Sequence, residues 1–456
     1  MLDIIKLKEL FKKDEKDILS DFFAFLRFKS ITTDPNYHQE VQKCAQWLAE
    51  YLNLIGLSVE VWDTDKAPII FAHDLRAGPE KETLLIYCHY DVQPVDPIEG
   101  WTTPPFEPTM RDGQVYARGA VDDKGQCFYT IVAIKTFLKQ FGQFPFNLKF
   151  VIDGEEESGS LGFSQILEDK RKSLSADHLL IVDSGMEKIE KPTITLGARG
   201  IVSLEVIVKE SNHDLHSGFG GGIAYNPNRA LAEILAKLHD ENGSVAISGF
   251  YDEVVEMPPH EKKGLSFDFD PGHFFSLFGF EPTGMEKGLS PIEANWLRPT
   301  LEINGINGGY SGPGWKTVIP SVAQAKISCR LVPHQSPDRI IALVRDFLIN
   351  QTPPGLNTTV NIFPANGRGF RTNPNSRIAH LIAESYSQVF QKPCQKSLIG
   401  ATIPIAAQLA EVSGAEMVLA GLGLPADRIH APDEHFGFDR FENGYLTIYR
   451  LFELFN

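Results

Sequence analysis

The sequence of 456 residues is poor in the features that mark several large classes of protein. Its five cysteines, Cys44, Cys88, Cys127, Cys329 and Cys394, are scattered, odd in number and never paired as CxxC. They do not make a disulfide framework, and a reducing, cytoplasmic setting is expected. Nowhere do about 18 apolar residues run together, so no membrane span is expected. The opening stretch, MLDIIKLKELFKKDEKDILSDFF, interleaves charge with apolar side chains and has no continuous apolar segment. It reads as an amphipathic helix and not as a secretory leader. Positive charge is short as well: 43 Lys and Arg stand against 59 Asp and Glu, a formal net charge of -16. That sign argues against nucleic acid, whose phosphates attract Lys and Arg, so no such partner is expected. The Gly-rich HDLHSGFGGG lacks both GK[ST] and the GxGxxG spacing of a phosphate-binding loop.

What is present is a globular composition, 43% hydrophobic and 22% charged, on a chain too long for one ordinary core, so two domains are expected. Short apolar runs (LSVEVW, APIIFAH, TLLIYC, LKFVID, HLLIVD) read as strands, and GQCFYTIVAIKTFLKQF between two of them reads as a helix. That alternation predicts an α/β layer with a mostly parallel sheet. From residue 199 the pattern changes. IVSLEVIVKE alternates as a strand with one wet face. Asn226-Pro227 opens a helix, and AKISCRLVP, DRIIALVRDFLIN and TTVNIF read as strand, helix and strand. The long aromatic, Gly/Pro-rich stretch over about 243–315 separates these halves of an α+β domain of ferredoxin-like order. After residue 366 the α/β pattern returns. The expectation is an α/β domain over 1–198 and 367–456, interrupted by an inserted α+β domain over 199–366.

The candidate ligands fall at strand exits and one helix start. His89 follows TLLIYC, Glu155, Glu156 and Glu157 follow LKFVID, Asp183 ends HLLIVD, and His430 follows EMVLAG through a Gly-rich loop. Asp122 and Asp123 precede the helix that begins near Lys124. In open α/β sheets ligands bind beyond the carboxyl ends of strands, so these positions can share one crest. Taken singly they are ordinary: a surface His-x-Asp, a solvated acidic run, a helix cap, a turn aspartate. Together, imidazole and carboxylate without cysteine suit zinc in a catalytic role, or cobalt or manganese. Five ligands point to two ions with one bridging carboxylate and an activated water between them, and a spare glutamate beside a liganding one suits a proton shuttle. Spacing alone does not choose among the three glutamates, between Asp122 and Asp123, or between His430 and His435.

The motifs YCHYDVQP, ARGAVDDKGQ, DGEEESGS, IVDSG, DLHSGFGGG, SGPGWKTVIP, GATIPIA and IHAPDEH, in this order, resemble those of the dinuclear zinc exopeptidases. That family spans carnosinase-like dipeptidases, succinyl-diaminopimelate desuccinylase, acetylornithine deacetylase, aminoacylase and carboxypeptidase G. The resemblance runs from about residue 15 to the C-terminus and implies that the split α/β domain is catalytic and that the insertion is a lid and dimerisation domain. It implies His89, Asp122, Glu157, Asp183 and His430 as ligands of two Zn2+ per subunit, with Asp122 as the bridge. It further implies Glu156 as general base and Asp91 as the group that orients His89. His216 is implied as an oxyanion donor reaching a partner subunit's site across a homodimer. Arg330 with Gly400, Ala401 and Thr402 is implied as the seat of a substrate carboxylate. Asp183, GGYSGPGWKTVIP and the length are closest to the dipeptidase branch. FPANGRGF, where carnosinase-like members carry a histidine, points away from carnosine itself. The expected function is hydrolysis of dipeptides or short peptides. The alternative is an N-acyl amino acid deacylase with the same metal chemistry, and the remote one is a non-catalytic binding protein on the same fold.

Overall fold

The computed structural model of the chain describes residues 2–266 and 269–455; residues 1, 267, 268 and 456, the second and third within the 243–315 stretch, lie outside it. Two sheets dominate. The larger has nine strands, and its centre is a parallel run in the order Asn147–Asp153, Thr83–His89, His178–Ile181 and Glu416–Leu419. The parallel character is confined to this centre and to Gln395–Ile399 beside Thr193–Ala198. Ser58–Trp62 and Ile69–Asp74 extend one side antiparallel, and Thr193–Ala198 and Phe370–Arg371 do so on the other.

The central strands read as near-continuous apolar runs because both faces are covered. In Thr83–His89 the side chains divide with period two. Leu84, Ile86 and Cys88 join a core under the helices Ile4–Leu26, His38–Leu54, Lys124–Phe141, Arg377–Phe390 and Phe438–Leu454. Leu85 and Tyr87 join a second core under Leu161–Ile166 and Ala406–Ser413. A three-layer αβα architecture results. His89, the last residue of its strand, is therefore delivered to the carboxyl edge by packing on both faces.

The second sheet is antiparallel, in the order Thr300–Gly308, Val322–Leu331, Gly200–Lys209 and Asn357–Ile362. Numbered along the chain from Gly200 these strands lie 2-3-1-4, which is the ferredoxin-like order. Gly200–Lys209 alternates buried and half-buried residues. Val202, Leu204, Val206 and Val208 share a core with Leu231 and Ile234 of the helix Pro227–Leu235 and with Ile340 and Val344 of Pro337–Asn350. Among the described residues, no helix is long and apolar enough to cross a membrane.

Candidate metal centre

The parallel strands all end on one edge, and the segments that leave them carry the titratable groups. Asp91, buried two residues beyond His89, does more than face that imidazole. Its Oδ1 accepts the backbone N–H of Glu156 (3.0 Å) and its Oδ2 that of Glu157 (3.1 Å). His89 Nδ1 lies 3.1 Å from the Asp91 carbonyl and 3.3 Å from Oδ1, which turns Nε2 outward. Asp153 at the end of the neighbouring strand accepts from Tyr87 (3.1 Å), Ser160 (2.6 Å) and the Glu155 N–H (3.0 Å), fixing the other side of the glutamate loop.

Two overlapping triads result. His89, Asp122 and Asp183 form one, and Asp122, Glu157 and His430 the other. His89 Nε2 is 3.1 Å from Asp122 Oδ1 and 3.9 Å from Asp183. His430 Nε2 is 2.9 Å from Asp122 Oδ2 and 3.2 Å from Glu157 Oε2. Asp122 thus presents one oxygen to each histidine. The alternatives that spacing left open point elsewhere. Asp123 Oδ2 accepts the His89 backbone N–H (3.1 Å), Glu155 Oε1 accepts the Gly162 N–H, and His435 stacks on Tyr116.

The electrostatics show a surplus of acid. Burial pushes Asp183 up to about 7, against the pull of His89 and with Asp122 and Glu157 adding to it. Burial likewise raises Glu156 well above the usual carboxylate range, helped by Asp183 and Glu157. Hydrogen bonds to Asp122 and Glu157 push His430 up to about 10. Of the four carboxylates Asp122, Glu156, Glu157 and Asp183, Asp122 alone is lowered: burial pushes it up, but the two histidines outweigh that effect. Glu157 Oε1 is buried without a hydrogen-bond partner although Gln93 holds its other oxygen at 2.7 Å. Two imidazoles cannot balance this many buried carboxylates, whereas divalent cations can. The donor set, nitrogen and oxygen with no sulfur, fits borderline-hard ions of the zinc type.

The remaining predicted residues lie in two other places. Arg330 Nη1 donates to Thr402 Oγ1 (2.7 Å), which donates to the Arg199 carbonyl (2.6 Å). Arg199 in turn donates from its backbone to the Ala401 carbonyl (3.1 Å) and from Nε to the Gly400 carbonyl (3.0 Å). Gly400 sits so close to Asn295 that a Cβ would collide with its side chain. Arg330, Gly400, Ala401 and Thr402 are therefore one assembly, organised by an arginine that the sequence reading passed over although it stands in ARGIVS. His216 is not brought to the triads within this chain. It is exposed, pairs with Val318, and accepts the Gly218 N–H at Nδ1 (2.9 Å). Also passed over were Gln93 and Glu434, each inside a quoted motif but with no chemistry assigned.

Known proteins resemble this chain over most of its length. A human Beta-Ala-His dipeptidase is 31% identical over 427 residues, covering 89% of this chain and 83% of that protein. A Cys-Gly metallodipeptidase of Schizosaccharomyces pombe is 27% identical over 466 residues, covering 97% and 96%. The crystal structure of an M20 family metallo-carboxypeptidase from Sulfolobus solfataricus superposes with a TM-score of 0.89 at 30% identity, covering 96% of this chain and 99% of that one. The family model described as Peptidase family M20/M25/M40 matches residues 85–454, so the chain belongs to that peptidase family.

Proposed function

We propose that this protein is a metallodipeptidase that hydrolyses the amide bond of dipeptides or short peptides at a pair of divalent cations, natively two Zn2+, with Co2+ or Mn2+ as substitutes. The observation that carries the reading is Asp122, whose two oxygens face two histidines from different segments at 3.1 and 2.9 Å. Two ions held there supply Lewis acidity and a water that ionises near neutral pH. His89 and Asp183 belong to one side of the pair, Glu157 and His430 to the other, and Asp122 to both. Glu156, whose backbone is pinned by Asp91 beside Glu157, takes a proton from the attacking water and returns it to the leaving amine nitrogen. Asp91 keeps His89 and the glutamate loop in register.

The names of both curated relatives, one for Beta-Ala-His and one for Cys-Gly, favour dipeptides over N-acyl amino acids. Arg330 with the 400–402 loop receives the substrate carboxylate. His216 acts on the site of a second copy in a homodimer formed through the inserted domain, whose exposed Phe219, Ile223, Ile306 and Trp315 favour such a contact. The chain crosses between the two sheets at Arg199, between Thr193–Ala198 and Gly200–Lys209, and again between Ile362 and Phe370. These crossings support catalytic segments 1–198 and 367–456 around an inserted domain 199–366.

The test is a panel of unblocked dipeptides against N-acetyl and N-succinyl amino acids, run before and after chelation. Dipeptide turnover that disappears in chelator and returns with Zn2+ or Co2+ is expected. Turnover confined to the N-acyl substrates would replace the dipeptidase reading with deacylation, and activity indifferent to chelation would end the metal mechanism.

A further inference from the structure

Glu434 is fully buried, and both of its oxygens are occupied by the loop that carries Asp122. Oε2 accepts from Arg118 Nη1 (2.7 Å) and the Gly119 N–H (3.1 Å); Oε1 accepts the N–H groups of Val121 (3.1 Å) and Asp122 (3.2 Å). Arg118, itself buried, continues the connection. Its Nη2 donates to the Pro94 carbonyl (2.9 Å), just beyond His89 and Asp91, and its backbone N–H donates to the Pro105 carbonyl (2.8 Å). The Ala117 N–H donates back to the Glu434 carbonyl (3.2 Å). One buried ion pair therefore touches the segments bearing His89, Asp122 and His430.

The His430 segment needs such support. Arg428, His430 and Asp433 have φ of 60° each, the left-handed region that non-glycine residues enter only at a cost and keep only when held from outside. Within the loop, Asp433 is tied to Thr102 by two hydrogen bonds (2.8 and 2.6 Å). Glu434 is the next residue and provides the deep anchor.

We propose that Glu434 and Arg118 are positioning residues that set the distance between His430 and Asp122 and so govern how firmly the second cation is held. This rests on the metal-centre reading above. Neither residue touches substrate or the reacting atoms. Groups that orient metal ligands from behind change affinity by about 10–100-fold when removed.

The experiment is calorimetric titration of the metal-free, full-length protein with Co2+, accompanied by visible absorption spectra, for wild type, Glu434→Gln and Arg118→Lys. Melting of the metal-free proteins identifies which variants are folded, and Arg118→Lys carries the test should Glu434→Gln not fold. The expected result is an affinity for the more weakly held ion at least about tenfold below wild type. Excess Co2+ should then restore kcat while KM stays unchanged. Wild-type affinities for both ions in a folded variant overturn the proposal. Failure of wild type itself to take up Co2+ overturns the metal-centre reading and this inference with it.

Discussion

Asp123 and Asp122 are adjacent and chemically identical, yet one faces two imidazoles and the other accepts a backbone N–H from beneath the site. No spacing rule distinguishes them, because the difference lies in how the loop from Ala117 enters its helix and in the carboxylate of Glu434, 312 residues away. The same holds for the three glutamates, which are separated by Asp91 and Asp153 behind them. What the sequence does expose is the set: acids and imidazoles at the exits of apolar runs, in motif order. Glu156 offers the sharpest residue-scale prediction. Glu156→Gln preserves the side-chain volume and leaves both triads intact, so metal content should match wild type. On its proposed role as general base, this substitution should lower kcat by about 10²–10⁴-fold. Metal analysis and steady-state kinetics on one preparation check this; turnover near wild type would assign the proton transfer elsewhere.

Among elements, legibility follows burial. Strands covered on both faces appear as TLLIYC and LKFVID because nearly every position is buried and most are apolar, with Lys149 carrying its ammonium to the Ser175 carbonyl, and Gly200–Lys209 appears through its alternation. The strand Thr300–Gly308 is absent from the sequence reading. TLEINGING carries polar residues and two glycines on a sheet edge that is mostly exposed, with a register shift between Ile303 and Gly305, so neither period nor composition marks it. The small sheet of Thr109–Arg111, Gln114–Tyr116 and His435–Gly437 is equally hidden, being three residues per strand. That small sheet matters because it binds the His430 segment to the approach of Asp122. The helix Lys124–Phe141 then starts under tight constraint: a Cβ at Gly125 would run into the Ala120 carbonyl oxygen, and the Gly125 N–H bonds to Gly119. Gly125→Ala must displace the Asp122 loop or the helix start. It should cost about 1–3 kcal/mol by overpacking, measured by denaturant unfolding of the metal-free protein, and should also weaken cation binding. Wild-type stability together with wild-type metal affinity would show that the junction yields without consequence.

At the scale of the molecule, the two sheets divide the labour that the sequence assigned to a split α/β domain and its insertion. The triads sit at the edge of the nine-stranded sheet. Arg330 comes from the antiparallel sheet, and its link to Thr402 and Arg199 spans the crossing between them. His216 fits neither group. It lies on a two-stranded ribbon with Val318, its ring 5.1 Å from that of the exposed Phe219 and its Nδ1 capping the turn at the Gly218 N–H, away from both triads. An imidazole displayed on the surface of an inserted domain, in a chain whose remaining predicted groups are already assembled, is intelligible if its target belongs to a second copy. Isologous pairing then makes a quantitative prediction. A site built from one subunit's Glu156 and the other's His216 is dead in either homodimer, His216→Ala or Glu156→Gln. After subunit exchange at equal amounts, half the dimers are mixed and each contains one complete site, so activity should return to about a quarter of wild type. Recovery should track heterodimer formation followed by differently tagged subunits. Mixed dimers that form but stay inactive would place the function of His216 within its own chain.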